Sequence, residues 1–187
     1  MHHPPLVTIG AEGSQSDCDG VSPKMSARWV SRGGGVVRHG SGTLELALLV
    51  PVAPPSRGTG WLSCGLHDAA IAALRSVSVA AWTRDDSPGV FTQQGQLGVF
   101  GMTVCEGVSR YGLSLYLTQP ADGAPIPRGS RTGEPMTTLA RLRNGPPPIA
   151  AFRQRLIEAV VASLGLGQTI VTTGHEQLAR GRRDSPL

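Results

Sequence analysis

The segment that most restricts the fold is residues 31–42, "SRGGGVVRHGSG", in which five glycines lie among Arg32, Arg38 and His39. Glycine loses more backbone freedom on folding than any other residue, so such a cluster is costly unless the chain turns tightly there or must approach a ligand. By itself the cluster is compatible with a flexible surface loop or with a ligand site. Its flanks narrow the choice of architecture. "ARWVS" before it is a short strand, and "TLELALLVPV" after it places Leu44, Leu46 and Leu48 at alternate positions, the period of a strand with one buried face. A strand, a glycine-rich turn and a second strand are therefore expected.

The same reading predicts a strand over 6–9 ("LVTI") and a loop over 11–24. A helix over 62–76 carries Leu66, Ala70, Ile71 and Leu74 on one face, with Ser63 as a candidate cap for its first turn. A strand is predicted over 77–83, a turn at "RDDSPG" and a hairpin turning near residues 93–95. "GLSLYLT" is a further strand, with Leu113, Leu115 and Leu117 on one face. Residues 120–135 hold four prolines and three glycines in sixteen positions, which excludes regular structure and predicts a long loop or lid. "PPPIAAFRQRLIEAVVASLGLG" is the clearest helix, with Ile149, Phe152, Leu156, Val160 and Leu164 as its apolar stripe and Gly165 closing it. "QTIVTT" is a possible last strand. At 187 residues with 40% hydrophobic and 16% charged residues, one α/β (α+β) domain is expected over 1–174, a mixed sheet packed with helices, followed by a polar basic tail over 175–187.

Several functional classes are disfavoured. Cys18, Cys64 and Cys105 are an odd number without a Cys-x-x-Cys pair, which suits a reduced, cytoplasmic setting, and Cys64 and Cys105 read as small buried residues. Cys64 and His67 have a ligand-like spacing but no second Cys/His pair, so no metal is expected. Asp85 and Asp86 are adjacent and point apart in extended chain, as turn residues do. No signal-like start and no apolar run of membrane-spanning length occurs. The formal charge of +4 comes from sixteen arginines and one lysine, Lys24; with three Trp, three Phe and two Tyr there is no aromatic-rich basic face for nucleic acid.

"HHPPLVTIG", "RGGGVVRHGSGTL", "PGVF", "QLGVFG", "YGLSLYL" and "MTTL" resemble, in order and spacing, segments of the octanoyltransferase family of lipoate biosynthesis, related in fold to the lipoate and biotin protein ligase catalytic domain. The most specific part is Arg32, Gly33, Gly34, His39, Gly40 and Gly42, six matches within eleven positions. The resemblance covers residues 2–139. It implies transfer of an octanoyl group from octanoyl acyl carrier protein to a cysteine, then to a lysine of a lipoyl domain, of a 2-oxoacid dehydrogenase or the glycine cleavage H protein, with no cofactor. It implies an acyl site whose walls are Arg32, Gly33, Gly34 and His39; Val99, Phe100 and Gly101; and Gly112, Leu113 and Ser114. An apolar slot is also what a fatty acyl chain requires, each buried methylene gaining about 0.8 kcal/mol.

Departures from the family pattern fall on the chemistry. The family's lysine position is Gln96, and its Pro-Cys-Gly turn is best matched by Pro127, Arg128 and Gly129, so the cysteine position lies within 128–130 without a cysteine. A thioester exchange needs a thiolate, which a nearby positive charge favours. The family's His-Gly-Leu-Ala turn has become Tyr111, Gly112, Leu113 and Ser114. The resemblance also implies a strand and a helix ahead of residue 2. Two readings follow: a degenerate homologue that binds an acyl group or acyl carrier, or a divergent acyltransferase with Ser130 as nucleophile and His39 as base.

Overall fold

Two sheets account for most of the described chain, which in the computed structural model comprises residues 6–18, 25–52, 57–120, 134–145 and 148–167. The smaller sheet has the order β2 (Ser26–Trp29), β1 (Leu6–Ile9), β3 (Val36–His39), with β1 parallel to β2 and antiparallel to β3. The larger is wholly antiparallel, in the order β4 (Thr43–Pro51), β8 (Val108–Tyr116), β7 (Gly95–Cys105), β6 (Ser87–Thr92), β5 (Trp82–Arg84). The helices are α1 (Gly58–Ser76), the single turn α2 (Leu139–Leu142) and α3 (Ile149–Ser163).

Alternation works as the sequence predicts. Leu113 and Leu115 on β8 are buried in the main core, and Leu44, Leu46 and Leu48 on β4 pack against its edge. Leu62, Leu66, Ala70 and Leu74 of α1 and Phe152, Leu156 and Val160 of α3 bury their faces in the same core, while Ile71 only packs against it. Alternate residues of β4 and β8, including Glu45, Ala47, Gly112 and Ser114, belong to the opposite face.

Several boundaries differ from expectation. α1 begins at Gly58, so Ser63 stands inside the helix and caps nothing. Residues 77–81 form no strand, because the N–H groups of Val77, Ser78 and Val79 bond to the last carbonyls of α1, with Ser78 in the left-handed region. The turn at "RDDSPG" is confined to Asp85 and Asp86, and Ser87 already starts β6. β3 lies inside the glycine-rich segment, and α2 was not predicted. α2 is capped by Thr138, whose hydroxyl accepts from the Arg141 N–H at 3.2 Å. On α3 the buried stripe starts at Phe152; Ile149 is 49% exposed. The proposed strand at "QTIVTT" and the tail lie outside the described residues. No helix among the described residues is long and apolar enough to cross a membrane.

Candidate functional site

The glycine-rich segment runs from the small sheet to β7, and two cavities lie beside it on opposite faces of the β7–β8 pair: Val99, Gly112 and Ser114 belong to one face, Phe100, Met102 and Tyr111 to the other. The smaller, of about 220 Å³, lies between the sheets and is lined by Arg32, His39, Glu45, Val99, Gly112 and Ser114, with Gly101 and Leu113 completing it. The larger, of about 420 Å³, is lined by Gly33, Gly34, Phe100, Met102, Ser63, His67 and Tyr111, with Thr83, Arg84 and Asp85 at its rim. Gly101 borders both. The Gly33 N–H donates to the Met102 carbonyl at 2.7 Å. A Cβ on Gly101 would lie 2.8 Å from the Gly33 carbonyl oxygen, so the close approach requires glycine there.

The residues named from sequence are thus brought together but divided. Arg32, His39, Val99, Gly112, Leu113 and Ser114 meet at the smaller cavity, whereas Gly33, Gly34 and Phe100 face the larger one. Phe100 and Leu113 are also members of the main core. Lys24, Arg128, Gly129 and Ser130 lie outside the described residues. Cys64 and Cys105 are exposed, not buried as expected, because Cys64 stands off the packed face of α1 and Cys105 ends β7. No metal-binding cluster occurs among the described residues.

At the smaller cavity a hydrogen-bonded chain links four elements. Arg32 donates through Nη1 to the carbonyls of Gly33 and Gly35, at 3.0 and 3.2 Å, and through Nη2 to Thr8 Oγ1 at 2.8 Å. Thr8 Oγ1 lies 2.7 Å from His39 Nε2, and His39 Nδ1 bonds to Glu45 Oε1. With Thr8 accepting from Arg32, its own proton points to His39 Nε2, and Nδ1–H of His39 then donates to the carboxylate. Both ring nitrogens of His39 are therefore engaged. Burial lowers the Arg32 pKa, with Tyr116 and Glu45 acting in the opposite sense. Tyr116, fully buried behind this chain, accepts from the Arg38 N–H at 3.1 Å and is pushed up to about 12 by burial. Thr8 went unnoticed in the sequence because nothing local connects it to residues 32 and 39. Thr8→Val keeps the shape but removes the hydrogen-bond partner of the half-buried Arg32 and His39, and is expected to cost about 0.5–1.5 kcal/mol, read from the urea midpoint.

Gln96 is 2% exposed. Its Nε2 donates to the Gly98 carbonyl at 3.0 Å, and its Oε1 has no hydrogen-bond partner among the described residues. Its backbone N–H donates to the Pro135 carbonyl, and its carbonyl accepts from the Thr137 N–H.

In the larger cavity, Tyr111 Oη lies 2.8 Å from His67 Nε2 and 3.1 Å from Ser63 Oγ. The His67 and Phe100 rings are 4.1 Å apart. Burial lowers the His67 pKa, against the raising effect of Asp68, and burial raises that of Tyr111. Asp68 from α1, Tyr111 from β8, and Glu12, Arg84 and Asp85 around the cavity are the titratable or charged groups surrounding His67. Because the folded state favours neutral His67, the unfolded chain takes up that proton first. Its contribution is present above the ordinary histidine value of 6.5 and is lost as pH falls below it toward the lowered folded value. His67→Asn is expected to flatten the fall in stability on acidification from pH 7, measured by denaturant titration at several pH values.

No family model matches the chain. An octanoyltransferase of Azotobacter vinelandii is 31% identical over 179 residues, spanning 93% of this chain and 80% of that protein. The chain belongs to the octanoyltransferase family. An octanoyltransferase of Pseudomonas aeruginosa is 30% identical over 182 residues, covering 95% of this family member and 82% of its own length. The fold is that of the ligase catalytic domains. Lipoate-protein ligase A bound with ATP superposes with a TM-score of 0.71 at 14% identity, over 97% of this chain and 78% of that one. A biotin protein ligase of Aquifex aeolicus, in complex with biotin and ATP, has a TM-score of 0.53 at 12% identity, over 66% and 50% of the two chains. Membership in this family ties the octanoyltransferase-like chain to protein lipoylation.

Proposed function

We propose that this protein retains the family's acyl-binding site but lacks its cysteine–lysine pair, and so binds an acyl group or acylated carrier protein without the family's route of transfer. The observation that carries this is Gln96: the family pattern has lysine there, and a neutral amide turned onto the Gly98 carbonyl supplies no charge to hold a thiolate. The smaller cavity supports the binding half of the reading. A dry apolar cavity of about 150 Å³ accepts benzene, so 220 Å³ beside Val99, Leu113 and the bare backbone of Gly112 has room for a medium acyl chain. The partners are octanoyl acyl carrier protein as donor and the lipoyl domains as related clients, and the setting is the cytoplasm, where exposed thiols such as those of Cys64 and Cys105 persist.

The test is calorimetric titration of the full chain with octanoyl acyl carrier protein and with the unacylated carrier, alongside an assay for amide formation on a lipoyl domain. Preferential binding of the acylated carrier without transfer is the expected result. Transfer to the lipoyl-domain lysine that is lost in Ser130→Ala and in His39→Ala would establish the divergent transferase instead. Equal or absent binding of both carriers would overturn the reading altogether.

A further inference from the structure

The larger cavity holds three polar side chains that the binding reading does not use. Ser63 and His67 are four residues apart on α1, hence on one face of the helix, and that face meets Tyr111 on β8. Tyr111 stands where the family pattern has histidine, so α1 brings an imidazole back to the same neighbourhood from a different element. With neutral His67 carrying its proton on Nδ1, Nε2 accepts from the Tyr111 hydroxyl at 2.8 Å, and the Tyr111 oxygen is then able to accept from Ser63 Oγ–H at 3.1 Å. A serine hydroxyl is a poor nucleophile unless a base takes its proton, and here the base is reached through one phenol. Phe100, Met102 and Pro88 give the cavity apolar surface beside Ser63.

We propose that Ser63 is an acyl-accepting nucleophile at the larger cavity, so that an acyl group delivered there by the carrier is held covalently as a Ser63 ester, at a place separate from the smaller cavity, with Tyr111 and His67 as its positioning and proton-carrying partners. This rests on the reading that an acylated carrier is the ligand. Ser63 Oγ attacks the thioester carbonyl carbon, its proton passes to Tyr111 while the Tyr111 proton passes to His67 Nε2, and the carbon–sulfur bond breaks. The leaving thiolate recovers the proton from His67 through Tyr111. The balance is thioester plus serine hydroxyl giving serine ester plus carrier thiol, and no further reagent is needed.

The experiment treats the full chain with octanoyl acyl carrier protein and, separately, with the small thioester octanoyl-S-N-acetylcysteamine, followed by intact mass and peptide mapping. One octanoyl group per chain is expected, on the peptide carrying Ser63, stable to neutral hydroxylamine and released by alkaline hydroxylamine. Ser63→Ala should abolish the adduct, and Ser63→Cys should restore it as a thioester that neutral hydroxylamine releases, a rescue that misfolding cannot imitate. Tyr111→Phe and His67→Gln should each slow acylation by about tenfold or more. Carrier binding without any adduct, from either donor, would overturn the covalent step and leave the binding reading intact. An adduct on Cys64, Ser130 or elsewhere, or one unchanged by Ser63→Ala, would also overturn it. Absence of carrier binding would count against the binding reading, and the small thioester would then decide the role of Ser63 alone.

Discussion

Gly34→Ala is expected to destabilise the protein by about 3–5 kcal/mol, far beyond the ordinary cost of a glycine replacement in a turn. Gly34 has φ +80°, in the left-handed region, and an added Cβ would run into the backbone carbonyl oxygen of Phe100. The carbonyl belongs to β7, the third strand of the larger sheet, and cannot move aside as a flexible side chain would. The segment has to lift away from β7, breaking the Gly33–Met102 hydrogen bond and disturbing the Gly33 and Gly35 carbonyls that Arg32 holds. Gly58→Ala is the control, since Gly58 has φ +79° but an added Cβ there meets nothing within 4 Å. Its cost, about 1–2 kcal/mol, isolates the backbone strain. Equal denaturant midpoints for the two variants would show that the overlap with Phe100 carries no energy.

The second large effect is expected at α3. Phe152 is fully buried in the core shared by α1, α3 and the larger sheet, so Phe152→Ala removes a large side chain from a close-packed site and should cost about 3–5 kcal/mol. Ile149→Ala, one turn earlier at a position 49% exposed, should change stability by no more than about 0.5 kcal/mol. The contrast between the two denaturation curves tests which face of the helix is buried. Comparable losses at both sites would mean that α3 docks with a different face.

The stripe on α3 illustrates what a single sequence conveys. Phe152, Leu156, Val160 and Leu164 recur at four-residue steps and are all buried, but a step of three joins Ile149 to the same stripe, and periodicity cannot tell where a helix leaves the core. Alternation on β4 and β8 was legible for the same local reason. β3 was harder to see because four residues bounded by glycines carry too little pattern, although Val36 and Val37 are β-branched. The site was legible where a motif spans few residues, as in Arg32 to His39. It was not legible where chemistry depends on meetings across the fold: Thr8 with His39, 31 positions apart, and His67 with Tyr111, 44 apart, have no local signature. His67 was noticed only for its spacing from Cys64, which points away from the packed face.

The attachment of residues 32–34 to β7 has a thermodynamic consequence. Gly33 is pinned to β7 by its bond to Met102; Arg32 lines the 220 Å³ cavity, Gly33 and Gly34 line the 420 Å³ cavity, and Gly101 of β7 borders both. A ligand that shifts this strip on one side reshapes the room available on the other. Affinities on the two sides are then linked, and the factor by which the first ligand alters the second is the factor by which the second alters the first.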